Sequence, residues 1–600
     1  MSQESDPFKC SDVVYAERDA DACREAGATI AVHRLECIDE YTLPECEETV
    51  ERLHAAGLFV FDYLSLHTFP PRIFEYVMDE PGLLAAACVD FLYNTIPIGW
   101  FKYRSFKDRS YRFFCINHPA FQRFIHELLY LHLKAGVDGI IVDDCSGTVF
   151  SMPHGGCFCP YCVRKFREYL RAKHDADRLR AFGIENVDTF DYREYVKQYA
   201  NDTRTYIAEY QKGGIPLKEE HRKFVYFNDA EFVRELKDIA CKLKGAYVPF
   251  GFDNVSFGVM RAPNYPQLDH FDAETVFSFG DAGLEPDNVF YFKIAEALGK
   301  PYTPTPSIGN WAAIRAGTLT GLLKLLVALS YANGANLRFP YRGWCKDEDS
   351  DEPGRDRSRW YYPPREPFLP FYRFVREHAE LFDGYAAVAQ LGVVYSERAH
   401  YERTHYASLR AISGKLVDMG VPFVYLLAGQ ELLDADLDQT QVEGLDCVLV
   451  PDDSRLSPAQ DALVDEWVEA GTAVRVADAG AAEAVVGKKL GPVVSVQSPG
   501  RAWVFARHNP SEPGTPLVCH VLNGDYDLAD LEDRTQKDVA LSLDMARLDR
   551  PGPYKLTAHA PDAAPVELEH TEADGRLRIT IPEVRLWHVV SIASAEDDGS

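Results

Sequence analysis

Between about residue 27 and residue 345, short β-branched or aromatic runs alternate with amphipathic helical stretches, and this alternation limits the possible folds more than any other feature of the chain. Strands separated by helices pair in parallel, because each return crossing uses the helix. Eight runs read as strands: ATIAVHR (28–34), LFVFDYLS (58–65), YRFFC (111–115), GIIVDD (139–144), YVPFGFDN (247–254), TVFSFGD (275–281), PYTPTPS (301–307) and NLRFPYRG (336–343). Eight strands over roughly 320 residues fit a (β/α)8 TIM barrel with long loops. A doubly wound open sheet competes with it. The barrel is favoured because polar and charged residues gather after the strands and no Gly-rich phosphate turn appears.

Past residue 381 the pattern changes. LGVVYS (391–396), VPFVYLL (421–427), CVLVPDD (447–453) and TAVRVAD (472–478), with the helical ALVDEWVEAG between the last two, read as a flavodoxin-like αβ domain over 385–495. Beyond it, RLRITIPEV and WHVVSIAS alternate apolar and polar residues, the pattern of an antiparallel β-sandwich over 496–600. The barrel domain then takes 1–384.

A net charge of −29 repels phosphate backbones and anionic lipid, so neither nucleic acid nor a membrane is an expected partner. The N-terminus lacks a basic segment followed by an apolar run, which points to a cytoplasmic protein. In that setting, fourteen cysteines argue for reduced thiols or metal rather than disulfides.

The sharpest local signal is HGGCFCPYCVRKFREYL (154–170). Cys157, Cys159 and Cys162 form C-x-C-x-x-C opening onto an amphipathic helix, and three thiolates this close can share one tetrahedral Zn²⁺. The fourth ligand comes from elsewhere: Cys115 at the end of RFFC is the first choice, Cys145 and His154 the alternatives. Four cysteines leave no open position for water, so this zinc is structural rather than catalytic.

Three stretches, YRFFCINHPAFQRF, GVDGIIVDD followed by CFCPYCVRKFREYL, and the strand–helix segment from LGVVYS onward, together resemble the family-42 glycoside hydrolases of the β-galactosidase type. The resemblance implies a barrel with a flavodoxin-like trimerisation domain and a small C-terminal β domain, assembly into trimers, and hydrolysis of β-galactosides. It also implies that Cys115, Cys157, Cys159 and Cys162 are the zinc ligands. Where that family ends its fourth strand in Asn-Glu, with the Glu as acid/base, this chain has Asp143-Asp144. Where its seventh strand ends in the nucleophilic Glu, this chain reads GKPYTPTPSIGNW, without a carboxylate.

Retaining glycosidases need two carboxyl groups about 5 Å apart. The candidates are the strand-end aspartates: Asp143 and Asp144, of which alternation turns only one inward, and Asp253. Asp62 lies in the second run and Asp281 follows the sixth. Asp229 follows FVYFN, which has no assigned place, and Asp272 and Glu274 are expected at the far end of the barrel. His33, Arg34, His67, Asn254, Trp311, Arg342 and Trp344, with Tyr341, are expected to hold sugar hydroxyls or stack on pyranose faces. Arg338 reads as an ion-pair partner inside the barrel. The leading expectation is a glycoside hydrolase acting on an oligosaccharide or small glycoside through strand-end aspartates. One alternative is an inactive carbohydrate-binding relative of the same fold; another is a ligand sensor built on the αβ domain.

Overall fold

The computed structural model describes residues 8–16, 19–99, 105–107, 109–143, 145–253, 259–280, 283–340, 343–344, 360–361, 363–401 and 406–594. Its first layer is a parallel eight-stranded sheet. In chain order the strands are β1 (Val14–Ala16), β2 (Ile30–His33), β3 (Phe59–Ser65), β4 (Gly139–Asp143), β5 (Phe250–Asp253), β6 (His270–Thr275), β7 (Tyr302–Pro306) and β8 (Phe339–Pro340). Spatially they run β7-β6-β5-β4-β3-β2-β1-β8. The seam between β7 and β8 closes through two backbone bonds, Asn336 N–H to the Tyr302 carbonyl and Arg338 N–H to the Pro304 carbonyl, both 2.9 Å. The sheet is therefore a closed (β/α)8 barrel.

Two of the eight expected strands differ. YRFFC is not a barrel strand. It makes isolated antiparallel bridges, Ala87 with Phe114 and Pro97 with Arg112, beside the cysteine-rich loop. The missing strand is Val14–Ala16, at three residues too short to show a period. The sixth strand is HFDAET rather than TVFSFGD. Its inward residues are His270, Asp272 and Glu274, so only its outward side, with Phe271 and Ala273, is apolar. FVYFN belongs to the long helix Lys218–Lys244, which places Asp229 on that helix.

Register sorts the barrel interior into levels. Phe61 lies opposite Gly139, and Tyr63 opposite Ile141, which pairs with Gly251, which pairs with His270. The glycines are required there. A Cβ on Gly139 would fall 2.1 Å from the Phe61 ring, and one on Gly251 would fall 2.0 Å from His270 Nε2. Phe8 closes the floor, its ring stacked 3.9 Å from that of His270. Val14, Ile30, Val32 and Ile141 complete this apolar lower part. Burial holds His270 neutral, with its pKa pushed down to about 3.

After the barrel, four parallel strands, ordered Phe423–Ala428, Leu391–Ser396, Cys447–Pro451 and Ala473–Val476, are flanked by helices in the flavodoxin-like arrangement. Two antiparallel sheets of six and four strands complete the described chain, the larger also taking in Ala386–Ala387 from ahead of the parallel strands. Val504, Leu517, Cys519, Val539, Leu541, Leu577, Ile579 and Val590 pack in the core they share. Among the described residues no helix is long and apolar enough to cross a membrane.

Candidate active site and metal centre

Above the apolar floor the barrel turns polar in one step. Ser65, Asp143, Asp253 and Asp272 pair in register on the consecutive strands β3 to β6, at the C-terminal ends where this fold builds its sites. Alternation turns all four inward. Ser65 Oγ donates to Asp143 Oδ2 at 2.7 Å, and Arg34 Nη1 lies 2.9 Å from the same oxygen. Tyr63 reaches up from the level below, its hydroxyl donating to Asp272 Oδ2 at 2.7 Å. Arg338 Nη1 meets that same oxygen at 2.6 Å, while its Nη2 lies 3.9 Å from Asp253 Oδ2.

The two guanidiniums also share the Tyr63 ring, with Arg34 4.6 Å and Arg338 5.5 Å from its centroid. The result is three carboxylates around two arginines in a nearly dry space. Burial, then the Asp253 charge, pushes the Asp272 carboxyl well above the usual carboxylate range. Burial, then the Arg34 charge, lowers Arg338 to about 9. Exposure separates the roles: the Asp143 and Asp253 side chains keep 6% and 8%, Asp272 only 1%, and Arg34 opens to 42%. Asp143 and Asp253 therefore stay slightly open at the mouth, and Asp272, at the same level, is covered over. One level higher on β6, Glu274 faces inward in register with Thr305 of β7.

Of the residues singled out in the sequence, Arg34, Asp143, Asp253 and Arg338 come together here. Arg338 is the interior ion-pair partner expected of it. Asp272 and Glu274 belong at the C-terminal mouth and not at the far end. Asp62 faces away from the lumen. Its Oδ2 lies 2.6 Å from Nδ1 of His132, on helix Pro119–Lys134, and its Oδ1 accepts the Leu35 N–H at 2.7 Å. His33 is in register with Asp62 and shares its outward side. His67 is buried between the Phe113 and Phe150 rings, and Trp311 is buried beside Tyr361. Asp229, also buried, accepts the Ser146 N–H and the Asn264 amide, a bracing role. Asp144, Asn254, Asp281, Tyr341 and Arg342 lie outside the described residues. The backbone of Trp344 forms a short strand, Gly343–Trp344, paired with Trp360–Tyr361. Tyr63 and Ser65 are the partners that sequence reading missed, and Asp272 the one it misplaced. The period-two spacing of Phe61, Tyr63 and Ser65, and of His270, Asp272 and Glu274, is the signal that carries them.

Beside the mouth, the loop after β4 folds back to bring Cys115, Cys157, Cys159 and Cys162 together, with all four sulfurs buried and within 4.8 Å of one another. Cys159 is the N-cap of helix Pro160–Lys173, its sulfur accepting the Cys162 N–H, and Pro160 presets the first helical position. That geometry turns both sulfurs toward Cys115, which lies 3.6 Å from Cys159 and 3.3 Å from Cys162. A tetrahedral metal with bonds of about 2.3 Å holds its sulfurs about 3.8 Å apart, so the quartet fits such an ion with little movement. Asn117 Nδ2 donates to Cys162 Sγ at 3.2 Å, an outer hydrogen bond of the kind that orients a metal ligand. Burial opposes charge on Cys115, yet hydrogen bonding from neighbouring thiols, Cys157 foremost, draws it down to about 6. Neither Cys145 nor His154 belongs to the group.

No protein-family model matches the chain. Over 513 residues, 80% of its length, it is 23% identical to an α-agarase of Thalassotalea agarivorans, matching 32% of that protein. Over 296 residues, 47% of its length, it is 25% identical to an α-agarase of Alteromonas agarilytica, matching 20% of it. The chain thus spans a third or less of the length of these curated relatives. In fold it is similar to α-L-fucosidase isoenzyme 2 from Paenibacillus thiaminolyticus, with a TM-score of 0.61 at 11% identity over 98% of this chain and 100% of that one. It is equally similar to the β-galactosidase of Bacillus circulans sp. alkalophilus, with a TM-score of 0.62 at 12% identity over 97% and 99%. The chain therefore shares the architecture of barrel glycoside hydrolases along its whole length and is a sequence relative of part of two α-agarases.

Proposed function

We propose that this protein is a glycoside hydrolase that cleaves an α-glycosidic bond in an agar-type saccharide. The observation that carries the reading is the in-register row of inward carboxylates, Asp143, Asp253 and Asp272, at the C-terminal mouth of the barrel. The substrate class follows the α-agarase relatives and replaces the β-galactoside implied by the family-42 resemblance.

Asp143 is the nucleophile. Arg34 and the Ser65 hydroxyl hold its carboxylate in place. Asp253 is the acid/base. Neighbouring strands stand about 4.8 Å apart, so in-register carboxylates on β4 and β5 match the separation of about 5 Å used by retaining enzymes. Asp143 attacks the anomeric carbon as the bond to the leaving oxygen breaks and Asp253 gives that oxygen its proton. Water then releases the sugar, losing a proton to Asp253. Burial and the Asp253 charge raise the carboxyl of the neighbouring Asp272 well above the usual range. Asp272 orients the others through Arg338 and Tyr63. The sugar-binding roles expected for Asn254, Arg342 and Trp344 are kept as part of the proposal, whereas the catalytic role weighed for Asp144 passes to Asp143.

The cysteine quartet is proposed to hold a structural Zn²⁺ that clamps the loop after β4 to the segment ending in Cys115. The reading also includes the homotrimer implied by the family-42 resemblance, which light scattering tests. Activity is tested by incubating the full chain with agar-derived oligosaccharides and with aryl α- and β-galactosides, and following new reducing ends. Release from the α-linked substrates supports the proposal. Binding without release from any of them would favour the inactive carbohydrate-binding alternative.

A further inference from the structure

A fifth buried thiol borders the cysteine quartet. Cys88 lies on an extended segment whose bridge between Ala87 and Phe114 runs antiparallel to the segment ending in Cys115. The Cys88 N–H donates to the Phe113 carbonyl at 2.7 Å, and the Cys115 N–H to the Ala86 carbonyl at 2.9 Å. In an antiparallel bridge of this register, Cys88 and Cys115 are diagonal neighbours on one face. From the other side, the N–H of Phe158, between Cys157 and Cys159, donates to the Val89 carbonyl at 2.8 Å, laying the cysteine loop along the same segment. The Cys88 thiol is close enough to those of Cys115 and Cys157 to interact with both. It is not one of the four sulfurs that lie within 4.8 Å of one another. Cys88 thus flanks the Cys115–Cys157 edge of the quartet, fully buried and pinned by backbone bonds from both ligand-bearing segments.

We propose that Cys88 is a reserve ligand of the metal centre. While the quartet is intact it stands beside the sulfurs of Cys115 and Cys157 as a thiol. When either of those bonds to the metal opens, the Cys88 sulfur takes its place, losing its proton to the departing thiolate. Such a site holds a thiolate-preferring divalent ion through ligand dissociation, because the vacant position is filled from inside the protein before a competing chelator reaches it. The inference rests on the metal reading of the quartet.

Cobalt(II) is the probe, because the intensity of its thiolate charge-transfer band follows the number of bound sulfurs. The full-length wild type and C88A are both expected to show a four-thiolate spectrum, and a chelator is expected to strip C88A about tenfold faster, the scale of outer-ligand effects on metal sites. C157S is expected to retain a four-thiolate spectrum, and C157S/C88A to fall to three. The same pair built on Cys115, C115S and C115S/C88A, gives a second comparison should the Cys157 variants fail to fold. Equal stripping rates for wild type and C88A would overturn the proposal, as would matching three-thiolate spectra for C157S and C157S/C88A. Failure of the wild type to bind cobalt at all would instead refute the metal reading itself.

Discussion

Arg338 Nη1 lies 2.6 Å from Asp272 Oδ2 in the barrel interior, where the two side chains keep 9% and 1% exposure. A pair this dry gives little net stability, but losing one member leaves a charge without compensation. Arg338→Met is therefore expected to cost about 3–5 kcal/mol, read from denaturant unfolding. Arg338→Lys restores the charge but not a planar fork facing both Asp272 and Asp253, so it should recover stability better than activity. A loss below 1 kcal/mol in Arg338→Met would contradict this placement.

The floor beneath the carboxylates is equally specific. Gly251 sits two residues before Asp253, and a Cβ there would fall 2.0 Å from the His270 ring. Gly251→Ala is expected to cost about 1–3 kcal/mol by overpacking. It should also lower kcat, because the strand that yields to His270 is the one that carries Asp253. Unchanged stability would show that the His270 ring has room to move.

Outside the barrel, the buried Asp62–His132 pair gives a pH signature. Burial disfavours charge on His132, but the Asp62 carboxylate at 2.6 Å outweighs it and raises the His132 pKa above 6.5. A base whose folded pKa is raised stabilises fully below its unfolded value, and that contribution is lost as pH rises through the folded value. The stability advantage of wild type over His132→Gln is expected to be largest below about pH 6.5 and to shrink above it. An advantage that grows with pH would reverse the sign and refute the pairing.

Much of this arrangement was legible in the sequence, and the omissions share a cause. The cysteine motif was readable because three ligands lie within six positions and open a helix, with Pro160 marking its start. Cys88, far upstream, meets the site only through a bridge between two irregular segments, which no periodicity announces. YRFFC looked like a strand because it is apolar, yet its residues are buried under the cysteine loop and not in the barrel wall. The sixth strand was displaced because burial of charge defeats hydrophobic patterning: His270, Asp272 and Glu274 alternate correctly, but as polar residues. The same polarity makes that strand part of the candidate site.

At the metal centre, Asn117 donates to Cys162 Sγ at 3.2 Å. Asn117→Ala is expected to weaken zinc binding about 10- to 100-fold, measured by chelator competition, without changing the ligand count. Equal affinity in the two proteins would remove Asn117 from the site.

Asp143 and Asp253 are the proposed pair for glycosidic cleavage at the mouth of the barrel. The kcat of Asp143→Asn and of Asp253→Asn on an α-linked agar oligosaccharide tests this pair, with folding verified by unfolding curves matching the wild type. Both variants are expected to lose about 10²–10⁴-fold or more in kcat. Wild-type turnover in either folded variant would remove that residue from the catalytic pair.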